Sequence, residues 1–208
     1  SWQIYIYIRK HYNDWPDINS FRRTPYRQEK NMDASSQYQD SLPISSDRLL
    51  EMLADAGFEY QRIDHIPLRT VQDSKQVRDG FLSAEDGGGH IKNLFLRDKR
   101  KQNFLVVLPE DKDVDLKSLA ELLGAGRFSF GSADRLFEIL GVRPGAVTPL
   151  SMVNGRAHQV RLIMDASLRQ CRYLYMHPLV NDRTVAMCPD TTQAFLASLD
   201  VQIEWTEI

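Results

Sequence analysis

Three short stretches of this 208-residue chain carry the side chains best placed to do chemistry. Gly89 to Lys99 (GHIKNLFLRDK) is an apolar and aromatic run broken by Lys92 and Asn93, the pattern of a strand with one position facing a site. A lysine there is a poor base but a compact point charge suited to phosphate. Gly141 to Pro149 (GVRPGAVTP) crowds glycines, prolines and a Thr-Pro together, so its backbone is stiff, turn-rich and able to aim N–H groups at a ligand. Met176 to Asp182 (MHPLVND) sets His177 before a proline, which biases it to an extended conformation, with Asn181 and Asp182 close behind. One titratable ring and one amide can therefore face the same cleft.

Each feature also has a structural reading. A lysine within an apolar strand can sit at an edge or barrel mouth with its ammonium in water, and a single histidine is often merely packed or exposed. Arg97, Lys99, Arg100 and Lys101 with Asp98 form a compact cationic hairpin tip, which serves as a solvated turn or as a phosphate contact. Other chemistries fit worse. Gly87-Gly88-Gly89 lacks the spacing of a phosphate loop, and no G-x-S-x-G elbow marks a serine hydrolase. The histidines at 11, 65, 90, 158 and 177 show neither HxxxH nor HExxH spacing, so no metal site and no cofactor is expected. Cys171 and Cys188 form no CxxC, which speaks against zinc or a disulfide framework and fits a reduced cytoplasm.

The elements that position these residues follow from periodicity. Residues 1–44 are rich in Tyr, Asn, Ser, Gln and Arg, and read as a mostly loose extension with a short strand at Trp2 to Ile8 and an alternative start at Met32. Residues 45–208 read as one domain. Its expected order is a helix capped by Ser46 and stopped by Gly57, a strand from Phe58 to Ile63, and a short helix from Thr70 to about Arg78. A turn through Gly89 then leads to strands at 90–98 and 102–108. Helices follow from Asp115, with Leu116, Leu119, Leu122 and Leu123 inside, and from Ser132, ended by Gly141. Later strands are expected at Pro149 to Val153, Gln159 to Met164, Arg172 to Met176, Thr184 to Met187 and Val201 to Trp205, with a helix from Pro189 to Leu199. The interspersed order without a βαβ rhythm predicts an α+β fold, a curled, barrel-like mixed sheet flanked by helices. A net charge of -2 and a pI of about 6.2 restrict any nucleic-acid contact to a local patch, and no apolar run is long enough to span a bilayer.

At its three stretches the chain resembles the free-standing prolyl-tRNA editing proteins, Ala-tRNA(Pro) deacylases related to the editing domain inserted in bacterial prolyl-tRNA synthetase. The resemblance covers about Ser46 to Leu199. It implies that Lys92 anchors the phosphate near the tRNA 3′ end with Asn93 beside it, and that the Gly141–Pro149 loop surrounds the aminoacyl ester. Gly145 and Ala146 would act at the ester, and Gly141, Pro144, Val147 and Thr148 would line the substrate. His177, positioning or polarising the ester, and Asn181 belong to the His-Pro-Leu-x-Asn segment. His65-Ile66-Pro67 stands where the family carries a His-Pro-Pro-like segment.

The implied reaction needs no protein nucleophile, because an aminoacyl ester is already activated: water must be oriented and the oxyanion held by backbone N–H donors. Alanine is smaller than proline, so a pocket bounded by Gly145, Ala146, Leu94 and Phe95 can exclude the correct amino acid by size. The implied partners are the acceptor end of tRNA(Pro), met by Arg97, Lys99, Arg100 and Lys101, and prolyl-tRNA synthetase. Removal of cysteine or another small amino acid, or tRNA binding without turnover, are the competing expectations.

Overall fold

The computed structural model describes residues 32–68 and 80–208. The strand expected at Trp2 to Ile8 and the helix expected from Thr70 lie outside the described residues. Eight strands are described: β1 (Gln61–Asp64), β2 (Gly88–Asp98), β3 (Asn103–Pro109), β4 (Phe128–Phe130), β5 (Arg161–Asp165), β6 (Tyr173–Met176), β7 (Arg183–Met187) and β8 (Ile203–Thr206). They form one mixed sheet in the order β1-β7-β6-β2-β3-β5-β8, with β4 attached to β2. The pairs β2–β6, β3–β5 and β5–β8 are parallel and the rest antiparallel. The mixed sheet flanked by helices is as expected; β1 and β8 end the order without pairing to each other, so the sheet is not closed into a barrel.

The central strand β3 explains the layering. Asn103 to Leu108 are all buried, as in a strand covered on both faces. Leu105 and Val107 face the larger core with Leu49 and Leu53 of α1 (Ser46–Asp55), Leu136 and Leu140 of α3 (Ala133–Leu140), and Phe195 and Leu196 of α5 (Pro189–Ser198). Phe104, Val106 and Leu108 face a smaller core with Leu119 and Ala120 of α2 (Leu116–Leu122) and Phe128 of β4. Leu122, expected inside, is exposed, because it falls outside the stripe that α2 turns to the sheet.

Several local expectations shift. Ser45, rather than Ser46, caps α1 by accepting the Arg48 N–H, while Ser46 is buried within the helix. Pro149 to Val153 is helical: Thr148 Oγ1 accepts the Leu150 N–H ahead of a 3-10 turn at Pro149–Ser151, which runs into α4 (Met152–Gly155). A Thr-Pro start is a helix signal, and it outweighs the short apolar run that suggested a strand. β4 went unforeseen because three residues leave no readable period.

Residues 33–44, expected to be loose, are part of the fold. Ala34, Leu42 and Ile44 are buried in the larger core, and a 3-10 helix spans Ser36–Ser41. Asp182 accepts the Ser36 N–H at 2.9 Å and its hydroxyl at 2.7 Å, and Ala34 O accepts the Asn181 N–H at 2.8 Å. Arg143, 2% exposed, donates to Ser41 Oγ at 2.8 Å and lies 5.3 Å from the centre of the Phe137 ring. Partners more than a hundred residues away hold this segment, which is why its own composition shows no periodic signal.

Candidate active site

β2 supplies one wall. One edge is covered by β3, with Ile91 to Arg97 opposite Pro109 to Asn103. The other edge is shared: Gly88–His90 pair with Tyr173–Tyr175 of β6, and Leu96–Asp98 with Phe130–Phe128 of β4. Between these two partners no described residue pairs with the edge, which leaves an opening among the described residues. The His90 carbonyl accepts from Glu110 N–H on the β3 side, and the Phe95 carbonyl accepts from Gly131 N–H on the other. Main-chain groups alternate along a strand, so the Ile91 carbonyl and both main-chain groups of Asn93 look into this opening.

Cross-strand pairing also fixes the faces. Lys92 is opposite Leu108 of the smaller core, and Asn93 opposite Val107 of the larger one. The adjacent pair therefore points to opposite sides of the sheet. Lys92 is half-buried, and among the described residues it forms no ion pair. Asn93 Oδ1 is buried with no partner among the described residues.

The second wall is the segment after β6. Tyr175 is level with His90, and β6 ends one residue later at Met176, so His177 is the first residue past the strand. The turn that follows is strained: the Leu179 N–H donates to the His177 carbonyl at 2.9 Å, and Leu179, buried, holds φ 67. A leucine in the left-handed region costs about 1–2 kcal/mol, and such residues cluster at functional sites. His177 Nδ1 lies 2.8 Å from the Arg183 carbonyl, which can only accept, so Nδ1 carries the proton and Nε2 keeps its lone pair. Burial pushes the His177 pKa below its ordinary value and His65 adds to this, while the Arg183 carbonyl and Asp182 offset it only in part. His177 is thus a neutral acceptor at physiological pH; polarising an ester carbonyl would need an N–H that this tautomer does not present.

The loop meets this wall through Asn181. Arg143-Pro144-Gly145-Ala146 is a type II turn, closed by the Ala146 N–H to the Arg143 carbonyl at 3.0 Å, with Gly145 at φ 95. Asn181 Nδ2 lies 3.5 Å from where a Cβ on Gly145 would stand, and it donates to the Leu68 carbonyl at 3.1 Å; the Leu68 N–H returns a bond to Asn181 O at 2.9 Å. His65 packs alongside, its ring 6.1 Å from that of His177 and its Nε2 2.8 Å from Thr184 Oγ1. Asn181 thus stands beside Gly145, and the carbonyl of the next residue, Asp182, accepts the N–H of His65, whose ring faces His177.

Burial sorts the remaining residues. Pro144 and Gly145 are exposed and Val147 half-buried, whereas Gly141, Ala146 and Thr148 are buried. Ala146, expected to present a donor to the ester, has its N–H occupied by the turn. Among the described residues the Gly145 N–H has no acceptor. Gly141 is the left-handed C-cap of α3 at φ 64, and Thr148 a helix cap. Leu94 packs on the smaller core, and the Phe95 ring lies in the larger core against Gly131, so Phe95 does not bound a pocket with Leu94. A cavity of about 350 Å³ lies at the start of β2, lined by Phe81, Leu82, Gly89, His90 and Pro109 among others. It includes neither Lys92 nor His177 nor Gly145, and the convergent polar groups place the candidate site elsewhere.

The cationic turn between β2 and β3 is built on Asp98. Its buried carboxylate accepts N–H groups of Arg100 at 2.9 Å and of Gln102 and Gly126 at 3.0 Å. Burial alone would raise its pKa; the three backbone donors outweigh it and hold Asp98 below the usual carboxylate range. Lys99, Arg100 and Lys101 project into solvent, while Arg97 folds back onto the Lys101 carbonyl at 3.4 Å.

Comparison with known proteins identifies the family and the fold. The model of the aminoacyl-tRNA editing domain matches residues 65–195. The chain is 32% identical over 140 residues to the prolyl-tRNA editing protein ProX of Acetoanaerobium sticklandii, covering 67% of this chain and 82% of that protein. It is 31% identical over 121 residues to the proline-tRNA ligase of Thermodesulfovibrio yellowstonii, covering 58% of this chain and 19% of the ligase. The crystal structure of a candidate trans-editing enzyme for prolyl-tRNA synthetase shares the fold, with a TM-score of 0.57 at 19% identity over 77% of this chain and 95% of that one. With a family match across most of its described domain, the chain belongs to the aminoacyl-tRNA editing domain family.

Proposed function

We propose that this protein is a trans-editing deacylase that hydrolyses the ester of mischarged Ala-tRNA(Pro). The observation that carries the proposal is the Gly145 N–H, which has no acceptor among the described residues and is presented by a type II turn beside Asn181, four residues after the neutral His177. In this reading Lys92 holds a phosphate of the tRNA 3′ end. The Gly145 N–H donates to the carbonyl oxygen as it becomes an oxyanion. His177 Nε2 accepts a hydrogen bond from the attacking water and orients it. The water oxygen bonds to the carbonyl carbon, the bond to the ribose oxygen breaks, and the ribose hydroxyl regains a proton. Alanine and intact tRNA leave.

Proline is excluded by size, which is the favourable direction for a second sieve. The exposed cations of the β2–β3 turn contact the acceptor end, and a prolyl-tRNA synthetase in the same cytoplasm supplies the mischarged substrate. A panel of Ala-tRNA(Pro), Pro-tRNA(Pro), Cys-tRNA(Pro) and Ala-tRNA(Ala), followed for loss of the amino acid, tests the assignment. Selective loss of alanine from tRNA(Pro) is expected. Selective loss of cysteine changes the substrate, and binding without loss contradicts a deacylase.

Two further outcomes follow. Because His177 acts as a neutral acceptor with a lowered pKa, activity should stay level as pH falls through the ordinary histidine range near 6.5 and drop only below it, where the ring protonates. An acid limb at or above 6.5, or one unchanged in His177→Gln, contradicts this role. Replacing Lys99, Arg100 and Lys101 together by alanine should weaken tRNA binding and shrink the slope of log K against log salt by roughly 2–3, at about 0.7–0.9 per phosphate contact. An unchanged slope puts the RNA elsewhere.

A further inference from the structure

The one large aromatic side chain strongly exposed among the described residues is Phe130, at 62%. It lies on β4, which among the described residues pairs with β2 alone. Phe128, two positions earlier, points to the same face and is buried against Phe104 with ring centres 5.0 Å apart. The strand needs only one of its two aromatic rings for the core.

Position gives the second ring a use. Phe130 is opposite Leu96, on the same face as Lys92, and Leu96 lies four steps along the strand from Lys92, roughly 13 Å at about 3.3 Å per step. Phe130 therefore borders the opening in the β2 edge. At the other end of β4, Lys99 lies across Gly126, its chain carbons within 2.6–3.3 Å of where a Cβ would stand. Along one side of β2 run, in order, exposed cations, an exposed phenyl ring, an open strand edge and Lys92. Basic groups that track a backbone, interrupted by an aromatic face, form the general surface for single-stranded RNA, because every base has a π-face.

We propose that Phe130 is a stacking platform for a base in the unpaired 3′ end of the tRNA, guiding that end from the cationic turn to Lys92. This rests on the function proposed above. The test is equilibrium binding of the full chain and its variants to uncharged tRNA(Pro), with its 3′ end intact or trimmed to a blunt acceptor stem. Phe130→Ala should bind the intact tRNA about tenfold more weakly, the scale of one lost base–aromatic stack, and the trimmed tRNA as the unaltered chain does. Phe130→Trp should restore binding to the intact end, and thermal unfolding of both variants should match the unaltered chain. Equal binding of intact tRNA by Phe130→Ala, or equal losses on intact and trimmed tRNA, overturns the proposal. Because the readout is binding, it separates from the deacylase assignment: failure to release any amino acid overturns the reaction, while the difference between intact and trimmed ends still reports on Phe130.

Discussion

Lys92→Ala is expected to lower kcat/KM for Ala-tRNA(Pro) by about 100-fold or more while leaving the fold intact. The size of the effect follows from losing the phosphate clamp that positions the ester, since a misplacement of about 1 Å can cost about 10²-fold in rate. The intact fold follows from the structure: Lys92 is half-buried at an opening in the sheet and, among the described residues, holds no ion pair whose loss would unfold anything. Lys92→Arg keeps the charge but changes its shape and reach, so partial activity is expected. Steady-state kinetics paired with thermal unfolding check both halves. Full activity in Lys92→Ala removes the residue from the mechanism, and a large fall in Tm makes its role structural.

Gly141→Ala is expected to be strongly destabilising. Gly141 ends α3 at φ 64, and a Cβ there would stand 2.4 Å from Asn154 Nδ2 and 3.2 Å from the Pro43 ring. That amide donates to the Leu140 carbonyl at 3.1 Å, and both residues are buried. Left-handed backbone costs alanine about 1–2 kcal/mol, and displacing Asn154 leaves a buried carbonyl unpaired for another 1–3 kcal/mol or so. A loss of about 3 kcal/mol corresponds to a fall in Tm of roughly 6–12 °C for a domain of this size. The catalytic turn begins two residues on, so activity should fall as well. Denaturant unfolding measures the loss, and a change under 1 kcal/mol would mean that Asn154 yields freely.

The contrast between Gly141 and Gly145 shows what a sequence can and cannot disclose. Both glycines sit in one conspicuous loop, and the motif marks the whole loop as functional. Only the fold separates a helix cap packed on Asn154 from an exposed turn glycine beside Asn181. The same holds for Lys92 and Asn93: a strand was legible there, but the opposite faces they occupy depend on register with β3. Helices with side-chain caps and glycine stops, such as α3, were readable because their signals are local. Residues 33–44 were not, since Asp182 and Arg143 order them from across the chain. Nor was the tautomer of His177, which is set by the carbonyl of Arg183 on a neighbouring strand.

The most direct measurement is single-turnover hydrolysis of Ala-tRNA(Pro) by the unaltered protein in ¹⁸O-labelled water, with mass analysis of the products and of the protein. Water attack on the ester predicts free alanine carrying one ¹⁸O in its carboxylate, a tRNA with an intact 3′ end, and no acylated protein at any time. Alanine that stays on the tRNA, or that appears first as an adduct of the protein, contradicts the account.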